Sequence, residues 1–260
     1  MNEKAILAVS FGTSHPDTRK VTIDAIEARI KKEFPEYPFY SAWTSKRIIK
    51  KLLERDGIRI NTVTEACERM LADGVREVVV QPTHILNGYE YDLLVKEVRH
   101  FKHKFEKIVF SKPLISGQDD IEKIIELFGN EFSYLEEGEA LVLMGHGTEH
   151  FANTAYAALE YAFKDKGLKN VFVGCVEGYP DINCVRKLLK EYGPSKVFVT
   201  PLLIVAGEHA KNDMAGEEEG SWKNLLRSDG YEVECIVRGL GEYEAVRDLF
   251  AEHLKAAMNS

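Results

Sequence analysis

The sequence predicts an α/β protein of two similar domains, each a parallel sheet flanked by helices, the two related by internal duplication. Three observations lead there. Short apolar runs alternate with helical patterns along the whole chain. Two pairs of polar motifs recur in the same order. Each of those motifs follows directly on an apolar run, where a strand would end.

The runs read as strands at 5–11 (AILAVSF), 76–82 (REVVVQP), 107–111 (KIVFS), 140–145 (ALVLMG), 170–176 (NVFVGCV), 196–205 (KVFVTPLLIV) and 233–237 (VECIV). They are short and rich in Val, Ile and Phe, as strands covered on both faces are. Between the first two runs, residues 17–33 place Val21, Ile23, Ile26 and Ile30 near one stripe of a helix. Residues 62–73 predict a second helix, opened by Thr62 as cap and closed at Gly74.

The repeat is internal. SFGTSH (10–15) matches GHGTEH (145–150), with Gly12 and Gly147 separated by the same 135 positions as His15 and His150. QPTHILNGYEYD (81–92) matches TPLLIVAGEHAKND (200–213), with Pro82 to Pro201 and Gly88 to Gly207 both spaced by 119 and Glu90 falling opposite His209. A third pair, residues 39–53 with 172–189, needs a gap. The expected domains are 1–125 and 126–260, with the closing helix free to cross back and the active-site cleft between the domains.

Composition narrows the function. The 260 residues are 45% hydrophobic and 29% charged, an ordinary globular balance. No apolar run approaches the roughly 20 residues that span a bilayer. The start, MNEKAILAVSFGTS, lacks the regions of a signal peptide, so a cytoplasmic protein is expected. Cys67, Cys175, Cys184 and Cys235 form no C-x-x-C pair and read as scattered core thiols. A net charge of −8 argues against nucleic acid and favours cations weakly. The sequence is compatible with a homo-oligomer.

Ligands of open parallel sheets bind beyond the carboxyl ends of the strands, which is where every polar motif sits. The candidate cleft residues are His146, His209, Glu90 and Glu177. Imidazole and carboxylate together suit borderline divalent ions such as Co, Ni, Fe and Zn. Cys175, two residues before Glu177, is the one thiol near these motifs. Gly145 and Gly147 flank His146 and let the backbone turn sharply. The SFGTS loop, with Ser10, Phe11, Gly12, Thr13 and Ser14, presents hydroxyls and backbone N–H groups suited to a carboxylate or phosphate. Each feature also has a plainer reading. His146 and His209 fit turns, Glu90 fits a helix start, and Glu217, Glu218 and Glu219 fit a solvated loop. His15 and His150 fit helix starts. His84 either lines the pocket or is a satisfied structural histidine. His100, His103 and His253 are expected at the surface. Trp43 and Trp222 fit core or pocket wall.

LAVSFGTSHPDT, HILNGYEYD, MGHGTEH, VEGYPD and PLLIVAGEHAKNDMAGEEEGSW together resemble the anaerobic sirohydrochlorin cobaltochelatases, which stand beside the ferrochelatases in the class II chelatases. The resemblance runs through nearly the whole chain, including GLGE (239–242). It implies two similar α/β domains and ATP-independent insertion of Co²⁺ into sirohydrochlorin or precorrin-2. The metal is substrate, and no permanently bound cofactor is implied. The resemblance places the catalytic histidine on His146, a second metal histidine on His209 and acidic partners on Glu90 and Glu177. It sets the stretch Ser10 to Ser14 against the tetrapyrrole. Lys46 and Arg47 are candidates for its carboxylates, with ordinary helix surface charge as the plainer reading. A chelatase for iron or nickel, or a carrier of metal or tetrapyrrole, remains the alternative.

Overall fold

The computed structural model describes residues 3–259; Met1, Asn2 and Ser260, assigned above to the domain ends, lie outside the described residues. In chain order the elements are β1 (Lys4–Ser10), α1 (Pro16–Val21), α2 (Ile23–Glu33), β2 (Phe39–Trp43), α3 (Lys46–Asp56), α4 (Val63–Ala72), β3 (Glu77–Pro82), α5 (Tyr89–Arg99) and β4 (Lys107–Phe110). There follow α6 (Gln118–Glu131), β5 (Glu139–Gly145), α7 (Thr154–Asp165), β6 (Val171–Cys175), α8 (Ile182–Tyr192), β7 (Lys196–Leu202), α9 (Trp222–Ser228), β8 (Glu232–Cys235) and α10 (Glu244–Met258). None of the described helices is long and apolar enough to cross a membrane.

Two four-stranded sheets result, ordered β2-β1-β3-β4 and β6-β5-β7-β8, and every pairing is parallel. The identical order is the structural form of the sequence repeat. In each sheet the chain steps from the first strand to one side and then returns to its other side. The switch point therefore falls between β1 and β3 in one sheet and between β5 and β7 in the other. Loops leaving a switch point diverge and open a crevice at the carboxyl edge. The four matched motifs occupy these four strand ends.

The chain divides into two compact units, and their limits differ from those expected. One unit runs to Ser116 and resumes at Gly241; the other is Gly117–Leu240. The boundary moves forward from 125 because α6 buries Ile124, Ile125, Leu127 and Phe128, with the Phe128 ring set edge-on against Phe163 of α7 at 6.3 Å. The tail departs from the 126–260 assignment because α10 packs on α2, β3 and β4. Its Leu249, Phe250 and Leu254 are buried, and each such side chain is worth about 1.5–3 kcal/mol. His253, expected at the surface, lies on this same face and is buried.

In the first unit, Ala5, Leu7, Val9, Val78 and Val80 form a core with Val63, Ala66 and Met70 of α4 and Leu94 and Val98 of α5. In the second, Ala140, Val142, Val197 and Val199 pack with Val185, Leu189, Trp222 and Leu226. Trp43 and Trp222 are both buried.

Several elements depart locally from expectation. The helix expected over 17–33 breaks at Thr22, whose φ of −117° and ψ of −83° leave the helical region. Its hydroxyl donates to Thr18 O at 2.5 Å, and a Cβ on Gly241 would stand 2.8 Å from its own Cβ. The break thus lets the turn before α10 approach closely. Val21 consequently turns out, 44% exposed, while Ile23, Ile26 and Ile30 stay buried. The helix at 62–73 forms as expected: Thr62 accepts from Glu65 N and the Glu65 carboxylate accepts from Thr62 N, a reciprocal cap. β7 ends at Leu202 rather than 205.

Candidate metal centre

His146 is the first residue past β5, between two glycines that the packing requires. A Cβ on Gly145 would collide with the Tyr156 ring, and one on Gly147 would collide with Glu177 O. Gly147 also holds φ at +83°, a left-handed conformation. Two backbone bonds then lock this loop to the loop after β6: Val176 N donates to Gly145 O at 3.0 Å and Glu177 N to His146 O at 2.7 Å. Asn153 clamps the same two loops from the side, its Oδ1 accepting from Thr148 N and its Nδ2 donating to Tyr179 O. The Tyr156 hydroxyl sits against the backbone of His146 and Gly147, and burial holds it protonated well above its usual range.

His209 comes from the loop after β7, just ahead of a single π-helical turn, Ala210–Met214. Its ring meets that of His146 edge-on, with centroids 4.6 Å apart and planes at 86°. His146 Nδ1 lies 4.0 Å from a Glu177 carboxylate oxygen. Donor atoms of His146, Glu177 and His209 all fall within 4.8 Å of one another. Two ligand atoms on one ion at about 2.0–2.2 Å lie at most about 4.4 Å apart. Three ligands set tetrahedrally on one ion lie closer, about 3.3–3.6 Å apart, so side-chain movement on the order of an ångström closes this trio on a cation.

The hydrogen bonds set the tautomers. His146 Nδ1 faces Gly147 O at 2.9 Å and His209 Nδ1 faces an Asp213 carboxylate oxygen at 2.6 Å. A carbonyl and a carboxylate only accept, so each Nδ1 carries a hydrogen, and it is the Nε2 of the neutral ring that presents a lone pair. The three side chains are 45%, 64% and 34% exposed in the order His146, Glu177, His209. Two imidazoles and a carboxylate on an accessible rim leave coordination positions open, as a cation that must depart requires.

Cys175 does not join the set. It is buried, and burial pushes its thiol up to about 12, so it stays protonated. Glu90 is carried by the other unit, half-buried in the first turn of α5, and is not one of the three clustered donors.

The remaining expected residues sort by their contacts. In the SFGTS loop Ser10 and Thr13 are buried and already engaged: Ser10 Oγ accepts from Thr83 at 2.8 Å and Thr13 Oγ1 from His15 N at 3.2 Å. Thr148 repeats the latter bond with His150 N at 3.1 Å. Phe11 is 46% exposed, and Gly12, at φ +105°, lies against the Trp43 ring. His150 takes the helix-start role, its Nδ1 accepting from Ala152 N. Glu217, Glu218 and Glu219 form an exposed loop in which Glu217 pairs with Lys223 at 2.7 Å. Lys46 and Arg47 lie exposed in the first turn of α3.

His84 is neither a surface group nor a satisfied histidine. It is 9% exposed and neither ring nitrogen has a hydrogen-bond partner among the described residues. Burial disfavours the cation and lowers its pKa to about 4 from 6.5. Between those values the unfolded chain binds a proton that the native state does not, so stability falls as pH falls. The full loss by pH 4 is on the order of 3 kcal/mol. Urea melts of the wild type and His84→Gln from pH 7 to pH 4 are expected to show a shallower acid slope in the variant. Parallel slopes would assign the loss to other groups.

Sequence reasoning missed Asp213, Asn153 and Tyr156. The spacing of His209 and Asp213, four apart in HAKND, was the available signal.

Duplicated parallel sheets with matching switch points, the second carrying a His–Glu–His set able to hold a metal ion, define a two-unit α/β protein with a candidate cation site. The chain belongs to the cobalt chelatase (CbiK) family, whose model matches residues 4–259. Sirohydrochlorin cobaltochelatase of Salmonella typhimurium is 37% identical over 257 residues, covering 99% of this chain and 97% of that protein. Sirohydrochlorin cobaltochelatase CbiKC of Nitratidesulfovibrio vulgaris is 32% identical over 263 residues, covering 100% and 92%. Among solved structures, SirB from Bacillus subtilis with Fe3+ superposes with a TM-score of 0.68 at 14% identity, covering 98% of this chain and 96% of that one. This last likeness shows the fold.

Proposed function

We propose that this protein inserts Co²⁺ into sirohydrochlorin, or its less oxidised precursor precorrin-2, without ATP and without a resident cofactor. The observation that carries the reading is the open trio His146, Glu177 and His209 in a chain matched by its family from end to end. The ion, the reaction's substrate, must exchange water for protein donors and then for pyrrole nitrogens, and two pyrrole protons must leave. His209 and Glu177 hold the ion while His146 serves as proton acceptor. A ligated nitrogen has no lone pair for a proton, so Nε2 of His146 either releases the ion before it accepts a pyrrole proton or shares the task with a carboxylate, and the second proton passes to a carboxylate or to solvent. Glu90 is the further carboxylate that the family resemblance implies. Ser10, Phe11, Gly12, Thr13, Ser14 and His84 are the candidate macrocycle contacts, of which Phe11 offers an exposed apolar ring. The protein works in the cytoplasm, binds no nucleic acid, and is compatible with a homo-oligomer.

The test is visible absorbance of sirohydrochlorin with Co²⁺ under anaerobic conditions. Catalytic conversion of the free-ring spectrum to the cobalt-ring spectrum is the expected result. Stoichiometric binding of ring or metal with no acceleration of their joining would make the protein a carrier and overturn the reading. Parallel runs with Fe²⁺ and Ni²⁺ rank the metals by kcat/KM.

A further inference from the structure

We propose that Asp213 is the positioning residue of the metal centre, fixing the tautomer and ring direction of His209. This rests on the function proposed above and deepens it.

The two histidines are held differently. His146 hydrogen-bonds the carbonyl of its neighbour Gly147, a neutral acceptor. His209 hydrogen-bonds a carboxylate four residues ahead, at the shorter distance of 2.6 Å. The π turn at Ala210–Met214 carries that carboxylate, and the ends of the turn are pinned by the buried side chains of Ala210 and Met214. Asp213 is not one of the three clustered donors. Its Oδ2 is directed at His209 Nδ1, so it supports the ligand rather than the ion. An anionic acceptor on Nδ1–H turns the Nε2 lone pair outward and makes it more basic, strengthening its bond to a cation. Of the two imidazoles, the one backed by charge is the firmer anchor. The one backed by a carbonyl is the easier to release.

Three variants and three readouts separate positioning from mere stability. In metal-free wild type, long-range ¹H–¹⁵N correlation of the His209 ring is expected to show hydrogen on Nδ1. Asp213→Ala should move it largely to Nε2, and Co²⁺ titrated without macrocycle should bind about 10–100-fold more weakly. Asp213→Asn keeps an oxygen that accepts from Nδ1–H, so it should retain the tautomer and recover part of the affinity. Asp213→Glu should behave as Asp213→Asn or better if its longer reach meets the ring. The KM for Co²⁺ should rise in Asp213→Ala more than kcat falls. An unchanged tautomer and a Co²⁺ affinity within twofold of wild type in Asp213→Ala would overturn the proposal. The ring correlation is read without metal or macrocycle. It therefore stands even if the wild type inserts no cobalt, an outcome that would sink the chelatase reading alone.

Discussion

His146→Ala is expected to lower the rate of cobalt insertion by about 10²–10⁴-fold, the range spanned by loss of a positioned acid–base group. The protein should remain folded, with stability within roughly 0.5 kcal/mol of wild type. The side chain is 45% exposed and its ring hydrogen-bonds the adjacent residue's carbonyl. Nothing in the core depends on it. The trio would be left with Glu177 and His209, so Co²⁺ should still bind, though more weakly. Single-turnover absorbance, paired with Co²⁺ titration in the absence of macrocycle, distinguishes the two losses. A slow rate at saturating Co²⁺ places His146 in proton removal. A rate restored by excess Co²⁺ places it in binding alone. Equal rates in variant and wild type would reduce His146 to a turn residue.

The same residues show how much the sequence disclosed. Strands covered on both faces announce themselves, because burial on two sides demands unbroken Val, Ile and Phe; β1, β3, β5 and β7 were legible for that reason. β2 was missed because FYSAW lacks the Val and Ile that announced the other edge strands, β4, β6 and β8. The ownership of α10 was not legible either. An apolar stripe says that a helix buries one face, and says nothing of which sheet receives it. At the site, the repeat marked the loops at the strand ends, and His146 and His209 stood out as imidazoles within them, opposite Phe11 and Glu90 in the first half. The support was hidden. Asn153 and Tyr156 act through a backbone N–H, a carbonyl and a packed ring, none of which imposes a spacing on the sequence. Asp213 depends on a helical turn through 209–213 that polar residues alone do not predict.

Gly147→Ala tests whether that support matters as much as the ligands do. The substitution meets two obstacles together. A side chain at φ +83° costs about 1–2 kcal/mol in backbone strain. Its Cβ would also overlap Glu177 O and stand 2.8 Å from the Cβ of Cys175, an overpacking worth roughly 1–3 kcal/mol more. The cheapest relief pushes the Glu177 loop outward, which breaks the Glu177 N to His146 O bond and spreads the trio. Misplacement of about 1 Å can cost 10²-fold in rate, so Gly147→Ala is expected to lose insertion activity and Co²⁺ affinity together while keeping all three donors. Gly167→Ala is the matched control: φ is +87° there, but among the described residues no heavy atom beyond the chain neighbours lies within 4 Å of the added Cβ. It should pay the strain alone and keep full Co²⁺ affinity. If thermal melts show both variants destabilised but Co²⁺ titration shows both binding as wild type does, the locked loops are scaffolding and the donors find one another without them. If only Gly147→Ala loses the ion, the metal centre is made as much by the residue that lacks a side chain as by the three that supply one.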